Sequence, residues 1–149
     1  MILQVILDKI SLQLQIFGDK SILSNVEIDD IALDSRLVKS SSIFFGMIGK
    51  KIDGANFLPD IANKNCRVAI ISHQSQFDVS RFLENYPQNI VIIGDVSKIL
   101  TKILQVIYPN LPLNIYAVTG TNGKTSVVEY VPNFGFFTKK ICFNWNYWH

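Results

Sequence analysis

Metal-binding and redox side chains are scarce in this 149-residue chain, which has two cysteines, Cys66 and Cys142, and two histidines, His73 and His149. The four stand far apart, at no spacing that would close around a metal. A zinc site and a disulfide framework are therefore both unsupported. An excess of one charge is also missing: 14 basic residues face 12 acidic ones, for a net charge of +2. The lysines come singly or as the pairs Lys50-Lys51 and Lys139-Lys140, never as a stripe. That pattern gives no footprint for nucleic acid and reads as mixed, solvated surface charge. Long hydrophobic runs are absent too. No stretch reaches the roughly 18 to 20 apolar residues of a membrane helix, so no membrane partner is expected. The opening "MILQVILDKI" is broken by Gln4, Asp8 and Lys9 and lacks the basic start and small-residue cleavage site of a signal peptide. Reduced thiols and a cytoplasmic location are the expectation.

What is present is apolar substance, 48% of the residues, which argues against disorder. The length suits one domain, or one domain and a piece of another. Short apolar runs alternate with helical ones, the organisation of an α/β fold. Residues 1–17 read as a helix and a short extended piece, with a turn at Gly18-Asp19. Ile31 to Ser35 and Ser42 to Ile48 read as strands, and Gly49 to Gly54 as a loop. A helix is predicted around Phe57, Leu58, Ile61 and Ala62, with Pro59 tolerated near its start. Arg67 to Ile71 and Ile90 to Gly94 have the continuous apolar form of strands covered on both faces. Between them, residues 73–89 read as a loop with an amphipathic turn or two. Asp95 is placed to cap a helix whose face is Val96, Ile99, Leu100, Ile103, Leu104 and Ile107. "PNLP", Pro109 to Pro112, ends that helix and marks a boundary.

Beyond it, "NIYAVTG" supplies a strand and Gly120-Thr121-Asn122-Gly123-Lys124-Thr125 a turn into a helix. Glycines let backbone N–H groups approach phosphate oxygens, and a helix N-terminus adds favourable positive potential. Lys124 can reach the outer phosphates, and Thr125 can offer a hydroxyl to Mg²⁺. The general pattern G-x-x-x-x-G-K-[ST] wants glycine where this chain has Val118, which leaves the narrower run T-G-T-N-G-K-T, Thr119 to Thr125. An ordinary glycine turn is the weaker alternative.

That run resembles the ATP loop of the Mur ligases and their folylpolyglutamate synthetase relatives. A second match, Leu33 to Ile71, resembles the N-terminal domain of the MurE type: Asp34-Ser35-Arg36, then Ile43-Phe44-Phe45, then Gly49 and Asp53-Gly54 in a G-x-x-x-D-G pattern, then a helix. MurF proteins share part of this framework. The resemblance implies an ATP-dependent amide ligase that joins diaminopimelate or lysine to UDP-N-acetylmuramoyl-L-alanyl-D-glutamate through an acyl phosphate. It implies that Gly120, Thr121, Asn122, Gly123, Lys124, Thr125 and Ser126 cradle ATP, with Thr125 on Mg²⁺. It implies that Leu33, Ser35, Lys50, Lys51 and Ile52 hold the UDP-muramoyl substrate. Each has a plainer rival: Leu33 as core, the lysines as solvated charge, and Asp34 with Arg36 as a local ion pair. Phe44 and Phe45 read as core rather than as a uracil platform.

The expected domains are a substrate-binding domain over residues 1–108, the start of an ATPase domain over 109–131, and an aberrant tail over 132–149. The helix leaving Thr125 meets Pro132 after seven residues, and the remaining eighteen hold seven aromatics, among them both tryptophans, with no periodicity. Such a tail reads as out-of-frame translation, with an adhesive docking tail as the alternative. The expectation is a truncated ligase, inactive as this chain, lacking the acidic metal groups, the carbamylated lysine and the domain that reads the amino acid. The alternatives are a noncatalytic module that binds the UDP precursor, or one half of a split ligase completed by a second chain.

Overall fold

A computed structural model of the chain describes residues 1–10, 12 and 14–109, which lie within a compact unit, Met1–Leu111. The expected strand at 114–119, the loop Gly120 to Ser126, the tail, Cys142 and His149 lie outside the described residues.

The elements follow from local chemistry. In α1 (Leu3–Ile10), Leu3, Ile6, Leu7 and Ile10 recur at helical spacing and are all buried, whereas Val5 on the other side is exposed. The strands are β1 (Gln15–Phe17), β2 (Asp30–Ala32), β3 (Ser42–Gly46), β4 (Val68–Ser72) and β5 (Ile90–Gly94). The remaining helices are α2 (Leu58–Asn63), α3 (Val79–Asn85) and α4 (Val96–Ile107). Asp78 and Asp95 cap α3 and α4, their carboxylates accepting from the N–H groups of Arg81 at 3.0 Å and Lys98 at 3.1 Å.

Among the described residues these strands form one sheet in the order β1-β5-β4-β3-β2. Strands β2 to β5 run parallel, and β1 closes the edge antiparallel to β5. Because β3, β4 and β5 step in one direction, right-handed crossovers put their connecting helices on one face. Accordingly α2 and α3 pack over Phe44, Ala69, Ile71 and Val91. The opposite face, with Ile43, Phe45, Val68, Ile70, Ile90 and Ile92, is covered by α1 and α4. Successive strand residues thus serve opposite cores, which is why β4 and the start of β5 need apolar residues without alternation. Phe44 and Phe45 point into different cores and are 2% and 1% exposed, so neither can present a ring to a ligand. Each such side chain stabilises by about 1.5–3 kcal/mol.

Three expectations need correction. The strand expected over Ile31 to Ser35 ends at Ala32. There the Asp34 carboxylate accepts the Arg36 N–H at 2.9 Å, and the Asp34 carbonyl accepts from Leu37 at 3.1 Å, so a turn replaces extended backbone. Strand β3 ends at Gly46 rather than Ile48, since the Met47 N–H folds back to the Phe45 carbonyl. The stretch read as a loop with an amphipathic turn contains a full helix, α3. At Gly18 the expected turn is present, with φ at +104° and the Asn89 carbonyl 2.4 Å from where a Cβ would stand.

Candidate functional site at the carboxyl edge of the sheet

Four parallel strands send their C-terminal ends to one edge, where open α/β sheets ordinarily take ligands. Residues 33–37 leave β2 there and residues 47–53 leave β3, its neighbour in register through Ala32 and Phe44. These two loops carry the residues expected to hold the UDP-muramoyl substrate. Leu33 is 57% exposed, so it is not core, and Ile52 is 56% exposed. Lys50 and Lys51 are exposed and pair with no described acidic residue; the ion pairs among described residues are Arg36–Asp34, Lys39–Asp30 and Lys98–Asp95. Ser35 is half-buried and lies three residues beyond the end of β2, in the turn rather than on a strand.

The D-S-R segment holds its own shape. Arg36 meets Asp34 through two side-chain nitrogens, the closer contact being Nη2 to Oδ2 at 2.7 Å. Hydrogen bonds from the Arg36 side chain, and then from its backbone N–H, keep the Asp34 carboxyl down at about 2. The guanidinium is raised in turn by Asp34. The pair is solvent-exposed, so its Coulomb energy is small and its effect is mainly on shape. From α2's C-terminal end, Lys64 Nζ donates to the carbonyls of Ser35 at 2.8 Å and Arg36 at 3.2 Å. With those carbonyls occupied, the turn is tied to the helix beneath it.

The lysine loop is held by backbone. The Gly54 N–H donates to the Met47 carbonyl at 2.9 Å and the Gly49 N–H to the Ile52 carbonyl at 2.9 Å, leaving Lys50 and Lys51 at the tip. Gly54 has no substitute there, because an added Cβ would sit 2.6 Å and 2.7 Å from the Met47 oxygen and nitrogen. Asp53 caps the 3-10 turn Gly54–Phe57 that precedes α2, its Oδ1 accepting from Ala55 at 2.9 Å. The D-G pair in the sequence motif is thus architectural: it closes the loop whose tip is basic.

Beside this loop a cleft of about 250 Å³ is lined by Met47, Ile48, His73, Gln74, Asp95 and Ser97, among others. Asp95 is committed to the start of α4, and its carboxyl is lowered chiefly by the Lys98 backbone N–H. The Cys66 thiol is buried and donates to the Ser42 carbonyl at 3.2 Å. Burial pushes it up, away from a reactive thiolate. Among the described residues no cluster of three or more His, Cys, Asp or Glu could hold a metal, and no helix is long and apolar enough to cross a membrane. The residues expected to hold ATP and Mg²⁺, Gly120 to Ser126, lie outside the described residues. Sequence reasoning missed Lys64 and Ser75, whose tertiary roles leave no periodicity or motif behind.

A mostly parallel α/β sheet whose carboxyl edge presents a basic loop beside a polar turn defines a class: a domain suited to an anionic, nucleotide-like ligand. No family model matches the chain. Among curated proteins it is 30% identical over 120 residues to the UDP-N-acetylmuramoyl-L-alanyl-D-glutamate–2,6-diaminopimelate ligase of Rickettsia prowazekii, covering 80% of this chain and 23% of the relative. It is 29% identical over 118 residues to the corresponding L-lysine ligase of Staphylococcus aureus, covering 75% of this chain and 22% of that one. A solved structure of MurF from Acinetobacter baumannii matches at 24% identity and a TM-score of 0.39, over 50% of this chain and 15% of that one. Over three quarters or more of its length the chain is thus similar to these Mur ligases. It spans less than a quarter of the length of these two curated relatives.

Proposed function

We propose that residues 1–108 hold the UDP end of UDP-N-acetylmuramoyl-L-alanyl-D-glutamate for an ATP-dependent ligase that adds diaminopimelate or lysine. The observation that carries this reading is the placement of Leu33 and Ser35 on one carboxyl-edge loop and Lys50, Lys51 and Ile52 on the adjacent one. Two ammonium groups on a short, closed tip suit a diphosphate, since charge-assisted hydrogen bonds are about twice as strong as neutral ones. Exposed Leu33 and Ile52 offer apolar contact to a base or sugar face, and the Ser35 hydroxyl offers a polar one. Binding in this domain anchors the substrate remotely from the reacting carboxylate, so its part in the reaction is positioning.

ATP and Mg²⁺ belong to this proposal through Gly120 to Ser126, with Lys124 on the phosphates and Thr125 on the metal. When bound, they supply activation of the dipeptide carboxylate as an acyl phosphate. The acidic metal groups, carbamylated lysine and amino-acid-reading domain that the resemblance implies belong to length that the match does not span, so the 149 residues tested alone are expected to bind the precursor without completing the ligation. A second chain supplying those parts is the alternative partner. The test is amide NMR of the full chain titrated with the UDP-muramoyl dipeptide: shifts confined to residues 33–36 and 49–52 and their strand ends support the reading. Shifts concentrated on α1 and α4 would refute it. Phosphate release that depends on diaminopimelate or lysine, and that disappears in Lys124→Ala, would refute the inactivity of the chain alone. Release only on adding a second chain would identify a split ligase.

A further inference from the structure

One hydrogen bond at the carboxyl edge has no counterpart in the sequence motifs. Ser75, in the connection after β4, donates its hydroxyl to Asp53 Oδ2 at 2.5 Å across 22 residues of chain. Asp53 thereby has both oxygens occupied, Oδ1 by the Ala55 N–H and Oδ2 by Ser75. Ser75 is itself fixed to the end of the buried strand β4. Its N–H donates to the Ser72 carbonyl at 3.0 Å, and its hydroxyl oxygen accepts from the Phe77 N–H at 3.2 Å. Asp53 closes the loop from Met47, pairing across it with Ile48. The serine therefore connects the rigid end of β4 to the base of the loop that carries Lys50 and Lys51.

Resting on the reading of that loop as a diphosphate contact, we propose that Ser75 is a positioning residue, holding Asp53 so that Lys50, Lys51 and Ile52 are presented in one backbone arrangement. The physical reason is entropic. An exposed loop with two long cationic side chains must be ordered when it binds an anion, and ordering that is already present in the unliganded chain no longer weakens binding. Both Ser75 and Asp53 are half-buried, outside either apolar core. Removing one hydroxyl opens no core cavity, and the Asp53 cap on Ala55 remains. The lock is thus separable from the fold, whereas replacing Asp53 would remove cap and lock together.

The experiment compares the full chain as wild type, Ser75→Ala and Ser75→Thr, using uridine diphosphate as the probe in calorimetry and amide hydrogen exchange on the unliganded proteins. Ser75→Ala is expected to bind about tenfold more weakly, the equivalent of about 1.4 kcal/mol. Its exchange at residues 49–53 is expected to rise with little change in melting temperature, and Ser75→Thr, which keeps the hydroxyl, to restore both. Wild-type affinity in Ser75→Ala would overturn the proposal. So would unchanged exchange at 49–53, or a loss of affinity that Ser75→Thr fails to rescue. If the wild type itself binds no uridine diphosphate, the diphosphate reading of the loop fails, and the exchange comparison alone decides whether Ser75 orders it.

Discussion

The two loops at the carboxyl edge reach fixed shapes by opposite routes. The D-S-R turn is set mainly within three residues, by Asp34 accepting from the backbone and side chain of Arg36, with Lys64 added from α2. Among the described residues the lysine loop has no ionic lock. Its shape rests on closure around Gly54 and on the Asp53–Ser75 bond to another part of the chain. A local lock operates as soon as its segment forms, whereas a tertiary one exists only once β4 is in place. The basic tip is therefore the more dependent of the two on the folded sheet.

This difference can be broken most forcefully at Gly54. Gly54→Ala drives a methyl into the Met47 backbone, which cannot swing away as a side chain could. A loss of about 3 kcal/mol or more in denaturant unfolding is expected, the range of severe backbone and packing lesions. A value under about 0.5 kcal/mol would show that the loop is not closed as described. The double change Lys50→Ala/Lys51→Ala should leave stability within about 0.5 kcal/mol of wild type. It should weaken uridine diphosphate binding by about tenfold or more and flatten its dependence on salt. Equal affinity would mean that the lysines are plain solvated charge.

The self-held turn should answer more weakly. Lys64→Met removes one ammonium that makes two hydrogen bonds to exposed carbonyls, which water can replace, so a loss of about 0.5–1 kcal/mol is expected in the same unfolding measurement. The smallest effect is that of pH on Asp34. Its carboxyl is lowered in the fold, from 3.8 to about 2, so its contribution is complete above the unfolded value and is lost as pH falls through about 2. NMR of the Asp34 and Arg36 resonances should show an intact turn down to about pH 3 and loosening only as pH approaches about 2. Loosening near neutrality would contradict the local lock.

The same contrast explains what could be read from sequence. Strands β2 to β5, the Asp95 cap and the burial of Phe44 and Phe45 were legible, because apolar periodicity and capping chemistry are local. The Asp34–Arg36 pair was legible for the same reason. The end of β2 was misjudged because Ile31 and Leu33 alternate like strand residues, while the Asx turn at Asp34 overrides that alternation. Helix α3 was under-read, since only Val79 and Phe82 of its seven residues are buried and the periodic signal is faint. The antiparallel place of β1 beside β5, and the staples from Lys64 and Ser75, depend on contacts distant in sequence. At the candidate site, the residue types were visible and their supports were not.

The proposed role of the carboxyl edge at β2 and β3 is to anchor the UDP-muramoyl substrate. Its most direct test is calorimetry of the full chain with UDP-N-acetylmuramoyl-L-alanyl-D-glutamate and, separately, with ATP. Micromolar binding of the UDP ligand, about −8 kcal/mol, is expected, weakened about tenfold or more in the double lysine variant. Micromolar ATP binding with no detectable UDP-ligand binding would contradict it.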